Sequence, residues 1–128
     1  MENLKINNTP KTPLIDFDVD SRVFLLSGIS VPENSLEFYG TVIGWLKEYI
    51  QTPGLPIKLV FKLTYVNTSS LQFIFDLLQL LDRINANSSQ TVAVEWYYSE
   101  EDIDMKEMGE DFKEAMGMNF SFFEEETI

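Results

Sequence analysis

Cysteine and histidine are both missing from this 128-residue chain, and the two absences remove most familiar catalytic machinery. Without cysteine there is no disulfide, no thiolate metal site and no cysteine nucleophile, a composition that fits a reducing compartment. Without histidine no Ser-His-Asp triad, histidine general base or histidine zinc ligand can be assembled. Any catalysis would have to rest on carboxylates, lysines or tyrosines. Basic residues are also scarce, 9 Lys and Arg against 21 Asp and Glu, for a net charge of −12. Binding a nucleic-acid backbone needs clustered cations to displace counterions, so nucleic acid is an unfavourable partner, and anionic membranes are disfavoured for the same reason. No run approaches the ~18 apolar residues of a membrane span. The segment from Met1 to Asn8 lacks the apolar core of a signal peptide. These features predict a soluble cytoplasmic protein, a single domain over 1–128. Glycine is sparse too: Gly40 and Gly44 fall inside a helical pattern, and Gly54 completes no phosphate-binding fingerprint with them. Gly40 and Gly44 share one helix face, an arrangement expected to admit a closely packed neighbour.

What the chain does have is 45% apolar residues, enough at this length to bury a core. After a polar lead containing Pro10 and Pro13, Leu14-Ile15-Asp16-Phe17-Asp18 alternates as a strand, Asp18 to Ser21 turns, and Arg22 to Ser27 follows as a second strand of a hairpin. Ser30 and Glu33 stand at capping-box spacing around Pro32 and predict a helix start. Leu36, Tyr39, Ile43, Leu46 and Ile50 carry that helix to about Thr52-Pro53-Gly54. Ile57, Leu59, Phe61, Leu63 and Tyr65 then alternate as one apolar strand face. Residues 71–84 form a mostly buried helix with Asn85 to Ser89 as its exit loop, and 91–99 a further strand. Ser99-Glu100-Glu101-Asp102 opens a last helix with acids at its positive end, Met105, Met108, Phe112 and Met116 as its apolar side, and Gly117 as its stop. The three methionines read as core filler. Residues 119–123 suit a fifth strand before an acidic tail at about 124–128, expected to be mobile.

The order β-β-α-β-α-β-α-β predicts an α/β domain: a mixed, mostly parallel sheet of four to five strands after an N-terminal β-hairpin. Lys58, Lys62 and Glu95 put charge on one face of the strands, whereas a parallel sheet covered on both faces reads as continuous apolar runs. The helices should therefore lie chiefly on one face. The free face, with Tyr97 and the lysine stems, reads either as a docking surface or as a solvated face with a Lys62–Glu95 cross-strand pair.

Two acidic constellations invite metal chemistry. Asp16-Phe17-Asp18-Val19-Asp20 imitates the start of a calcium loop, but Ser21 and Ser27 stand where glycine and glutamate are required, which excludes it. The carboxylates from Glu100 to Asp111 could in principle hold magnesium, yet on one helix they spread around the polar side, as a solvated acidic face does. No cofactor is expected.

The most informative stretch is Tyr65-Val66-Asn67-Thr68-Ser69-Ser70, four small polar residues between a strand pattern and a helix pattern. The first N–H groups of a helix lack intrahelical partners, and the peptide dipoles put partial positive charge there. A phosphate of about −1.5 to −2 charges is tolerated at such an end. Small polar residues at this kind of junction are also ordinary N-caps. Ser69 with Gln72 fits a capping box, which commits Ser69 to the backbone and leaves Thr68 one position outside, freer to meet solvent. Thr68 is the candidate switch residue, with Ser69 and Ser70 as the alternative acceptors.

Thr12-Pro13, Pro32-Glu33-Asn34, Phe38-Tyr39, Trp45-Leu46, Asn67-Thr68-Ser69-Ser70, Trp96-Tyr97-Tyr98 and Gly109-Glu110-Asp111 together make the chain resemble the SiaC-type regulatory phosphoproteins, whose fold is similar to the STAS domains of anti-sigma factor antagonists. The resemblance covers nearly the whole chain. It implies a non-enzymatic partner switch: a Ser/Thr protein kinase phosphorylates Thr68, a PP2C-type phosphatase reverses it, and the unphosphorylated form binds and activates a diguanylate cyclase. Asn67, Ser69 and Ser70 would then support the switch loop and partner binding. Two other classes stay open beside it: a carboxylate-dependent magnesium enzyme built on 100–111, and a constitutive structural subunit using an open sheet edge.

Overall fold

Period-two alternation gives way to period 3.6 three times along the chain, and each change becomes a strand-to-helix crossover. The computed structural model describes residues 1–52, 56–87 and 92–126. Its elements are β1 (Leu4–Ile6), β2 (Leu14–Asp18), β3 (Val23–Ser30), α1 (Ser35–Tyr49), β4 (Ile57–Val66), α2 (Thr68–Asn87), β5 (Val92–Ser99), α3 (Ile103–Ala115) and β6 (Asn119–Glu125). The strands form one sheet in sequential order from β1 to β6. β1, β2 and β3 pair antiparallel in turn, and β3 to β6 run parallel. Since every crossover advances in the same direction, the right-handed rule places all three helices on one face. Burial follows that geometry. Ile57, Leu59, Phe61 and Leu63 are buried on the helix side, while Lys58 and Thr64 face solvent.

The core consists of three aromatic groups between sheet and helices. Phe17, Phe24, Trp45 and Tyr49 join the hairpin to α1, with centroids 5.0 Å apart for Phe17–Phe24 and 5.2 Å for Phe24–Trp45. Tyr39 stacks on Phe73 at 5.8 Å and so ties α1 to α2. Trp96 packs on Phe61 and on Phe112, and its indole N–H donates to the Met105 carbonyl at 2.9 Å. Pairs of this kind add about 0.5–1.5 kcal/mol each beyond the area they bury.

Several local expectations change in the folded chain. The sheet has six strands, because Leu4–Ile6 pairs with β2; three residues are too few for alternation to announce a strand. Ser30 does not cap α1. It is drawn into the ladder opposite Val66, and the cap moves to Asn34, whose side chain accepts the Glu37 N–H at 3.0 Å. The register of β3 with β4 shifts between Gly28 and Ile29, so that Gly28 faces Leu63 but Ile29 faces Tyr65. That bulge reverses the side-chain phase of β4. Tyr65 leaves the apolar face and is 58% exposed, while Val66 turns inward at 7%.

The expected exit loop from Asn85 is instead the last turn of α2, which runs to Asn87; residues 88–89, like 53–54 at the expected end of α1, lie outside the described residues. Gly117 does not stop α3. The helix ends at Ala115 with an extended Met116, and the Gly117 N–H donates to Asp82 Oδ1 at 2.8 Å. Glu124 and Glu125 belong to β6 rather than to a mobile tail, with Glu125 opposite Ser99; residues 127–128 lie outside the described residues. On the open face Glu95 stands opposite Val60, diagonal to both lysines, and bonds Lys58 at 3.4 Å rather than Lys62. Lys62 crosses the Tyr97 ring, 4.5 Å from its centroid, to reach Glu125 at 3.5 Å.

Gly40 and Gly44 admit no close neighbour: a Cβ at either would stand in open space. Gly109 is the opposite case, since a Cβ there would fall 2.5 Å from the Trp96 ring. Two substitutions should therefore act in opposite directions. Gly109→Ala is expected to destabilise by about 1–3 kcal/mol through overpacking, and Gly44→Ala to stabilise by roughly 0.5–1 kcal/mol through helix propensity. Urea unfolding of both against wild type checks the pair.

Candidate functional site

The parallel strands β3 and β4 end side by side, and the helices that follow them begin at the same end of the sheet. Asn67 sits between the last residue of β4 and the first of α2. Its N–H donates to the Ser30 carbonyl at 3.0 Å, its own carbonyl accepts the Leu71 N–H at 3.1 Å, and its Oδ1 accepts the Ser70 N–H at 2.9 Å. Asn67 is thus the cap, and Ser69 is not. The reason is local: a carboxamide one residue before the helix reaches the third helical N–H directly, so Thr68 becomes the first helical residue. Gln72, expected to complete a box with Ser69, donates instead to Asp76 Oδ1 at 3.1 Å.

Beneath the junction lies a chain of buried hydroxyls. Ser30, Tyr39 and Ser70 are each 0% exposed. Ser70 Oγ lies 3.1 Å from the Ser30 carbonyl, which can only accept, so Ser70 donates there. Ser30 Oγ then donates to Ser70 Oγ at 2.8 Å, and with its single proton spent it accepts from the Tyr39 phenol at 2.5 Å. A second link runs nearer the surface. Ser69 Oγ donates to Asn67 Oδ1 at 3.2 Å, which leaves Ser35 as the donor in the 2.7 Å Ser35–Ser69 contact. Ser35 is the first residue of α1, so this bond joins the starts of two helices.

Thr68 stands apart from both links. It is exposed, and its hydroxyl makes no hydrogen bond among the described residues. The structure therefore brings Asn67, Ser69 and Ser70 together in one network and leaves Thr68 free beside it. Ser30, Ser35 and Tyr39 are the members that sequence reasoning missed. Nothing in the local spacing marks them, because their partners lie 9 to 40 residues away. Large apolar groups surround the free hydroxyl's end of the sheet: Ile29 at 37%, Tyr65 at 58% and Leu36 at 71% exposure. The first two are cross-strand partners that the β4 bulge places together.

The electrostatics are those of neutral donors. Burial pushes the Tyr39 phenol above its ordinary value, an effect that the Ser30 and Ser70 hydroxyls near it oppose only in part, so it stays protonated as the chain requires. The carboxylates are elsewhere. Glu33 pairs with Lys11 at 2.7 Å, both side chains well exposed. Glu100, Glu101 and Glu126 line a shallow depression with Ser99, of about 330 Å³. Among the described residues no group of three or more His, Cys, Asp or Glu converges to hold a metal ion, and no described helix is long and apolar enough to cross a membrane.

Two outcomes follow from the buried chain. Ser30→Ala strands the Tyr39 phenol and is expected to cost about 1–3 kcal/mol in urea unfolding. Above pH 10.0, the ordinary value for tyrosine, an unfolded Tyr39 releases its proton while the folded one keeps it. The unfolded state then binds fewer protons, and stability falls as pH rises. Tyr49, also raised by burial and partly offset by Arg22, adds to the same slope. Urea midpoints between pH 8 and 11 should decline for wild type and decline less for Tyr39→Phe.

Comparison with known proteins gives a consistent result. The sequence profile described as SiaC family regulatory phosphoprotein matches residues 6–125. An uncharacterized protein of Pseudomonas aeruginosa strain UCBPP-PA14 is 32% identical over 121 residues, 94% of this chain and 95% of that one. The crystal structure of apo-SiaC from Pseudomonas aeruginosa superposes with a TM-score of 0.89 at 32% identity, covering 95% of this chain and 98% of the other. A crystal structure of the diguanylate cyclase SiaD in complex with its activator SiaC, also from Pseudomonas aeruginosa, matches with a TM-score of 0.90 at 31% identity, over 95% of this chain and 99% of that one. With the profile spanning nearly the whole chain and the fold shared from end to end, this protein belongs to the SiaC family of regulatory phosphoproteins.

Proposed function

We propose that this chain is a non-enzymatic partner switch in which Thr68 accepts a phosphoryl group, and that its unphosphorylated form binds and activates a diguanylate cyclase. One observation carries the choice of Thr68. Of the three hydroxyls at the junction, Ser70 is fully buried and Ser69 is held by Ser35 and Asn67, whereas Thr68 is exposed and unbonded. A kinase must bring the hydroxyl in line with the γ-phosphate of ATP, which a free side chain allows. The relative crystallised with its cyclase supports the choice of output partner. A Ser/Thr protein kinase and a PP2C-type phosphatase complete the cycle in this reading. Such a switch works in the cytoplasm, where ATP and the cyclase substrate are found.

The physical effect of the modification follows from its setting. Leu36, Tyr65 and Ile29 are exposed apolar groups at the end of the sheet where Thr68 begins α2, surface that a partner would cover. A phosphate there brings about −1.5 to −2 charges and a hydration shell that the interface must strip away. The first N–H groups of α2 tolerate the charge, so the fold changes little while the docking surface becomes unfavourable. Asn67, Ser69 and Ser70 support the switch loop and do not accept phosphate.

Intact-mass and site-mapping mass spectrometry on protein from its native cells, followed by titration of a cognate diguanylate cyclase, tests the reading. Phosphate on Thr68, absent from Thr68→Ala, is expected, with cyclase binding kept by Thr68→Ala and weakened at least about tenfold in the phosphoprotein, or ~1.4 kcal/mol. Phosphate confined to Ser69 or Ser70 would overturn the site. A phospho-Thr68 protein that binds as tightly as the unmodified chain would overturn the mechanism.

A further inference from the structure

We infer that Tyr39 is a positioning residue for the Thr68 turn, holding α1 and the start of α2 as one recognition unit through the hydroxyl chain that it heads. This rests on the reading of Thr68 as the switch. Three observations carry it. The phenol lies in the second turn of α1, remote in sequence from the Thr68 turn, yet its proton begins a series that ends on the Ser30 carbonyl. That same carbonyl accepts the Asn67 N–H, so the residue before Thr68 and the residue two beyond it are anchored on one oxygen. The direction of the chain is fixed, because the carbonyl can only accept and each hydroxyl has one proton to give. Tyr39 must therefore supply the first donor.

The ring of Tyr39 has its own packing, stacked on Phe73 and edge-on to Phe38 at 5.1 Å, which Tyr39→Phe would preserve. The hydroxyl is thus separable from the core. Without it Ser30 Oγ loses its incoming bond, Ser30 and Ser70 gain rotamer freedom, and the first turn of α2 opens more often. At the surface the Ser35–Ser69 bond continues the same coupling, so Leu36, which follows Ser35, is held at a fixed place relative to Thr68. A partner that covers Leu36 then meets Thr68 in a single geometry, and modification of Thr68 is felt where α1 is bound.

Amide hydrogen exchange on the full chain separates positioning from plain stability. In Tyr39→Phe the amides of Ser70 and Leu71 are expected to exchange about five- to tenfold faster, with those of β5 unchanged. Faster exchange of equal size across β5 would make the hydroxyl a merely structural group and overturn the inference, as would unchanged exchange at Ser70 and Leu71. The double variant Tyr39→Phe/Ser70→Ala should match the larger single variant, since both break one chain; simple additivity would overturn the coupling. Titration of a cognate diguanylate cyclase runs in parallel and should show Tyr39→Phe about fivefold weaker than wild type. A wild-type chain that binds no cyclase would instead sink the partner reading, an outcome distinguishable because the exchange result is obtained without the partner.

Discussion

A single carbonyl, that of Ser30, organises the end of this molecule where β3 and β4 stop. It receives the Asn67 N–H and the Ser70 hydroxyl together, at the place where two parallel strands stop and their helices begin. Strand ends of a parallel sheet carry backbone groups that the ladder no longer satisfies, and burying them without partners is costly. Here the groups are satisfied by short side chains whose proton count leaves one arrangement. Each bond contributes little on its own, about 0.5–1.5 kcal/mol, but a buried network that loses a member leaves a polar atom with no alternative. The junction is tied together for that reason, and Thr68 is the group whose hydroxyl the network does not use.

The one-sided sheet gives this junction its surroundings. Helices covering one face leave the other bearing Lys58, Lys62 and Glu95, and the charges are neutralised within the sheet by Glu95 and Glu125. These half-exposed pairs add little stability, yet they prevent like charges from meeting across strands. The same face carries Tyr65 and Ile29 up to the strand ends, because the bulge in β4 turns Tyr65 outward. Exposed apolar groups therefore stand at the end of the sheet where Thr68 begins α2.

Much of the fold was legible because its signals are local. Alternation in 57–63, the apolar stripe of α2 and the acids before α3 report on neighbours within a turn or a strand. The exposure of Thr68 was legible as well, though by way of an incorrect cap: Ser69 was expected to bond the backbone, whereas Asn67 does so and Ser69 bonds Ser35. The exposed position of Thr68 is the same with either cap, since both leave its hydroxyl outside the network. Ser30 shows the limit. Its spacing to Glu33 suited a helix cap, but pairing with Val66, 36 residues on, drew it into β3. Glycine showed the limit in both directions. Gly40 and Gly44 suggested close packing and have none, while Gly109, unremarked for packing, lies against Trp96.

The sequence by itself determined the class of the fold, the chemistry that is impossible without cysteine and histidine, and the small polar junction at 67–70 between a strand and a helix. These follow from residue types and from periodicities shorter than a turn or two. Only the tertiary structure decided which face Tyr65 occupies, which glutamate each lysine meets, and that Tyr39 and Ser35 bond into the hydroxyl links at the start of α2. Register, bulges and hydroxyl networks join residues tens of positions apart, and no local pattern carries that information, because the partner of each group is chosen by how the strands align.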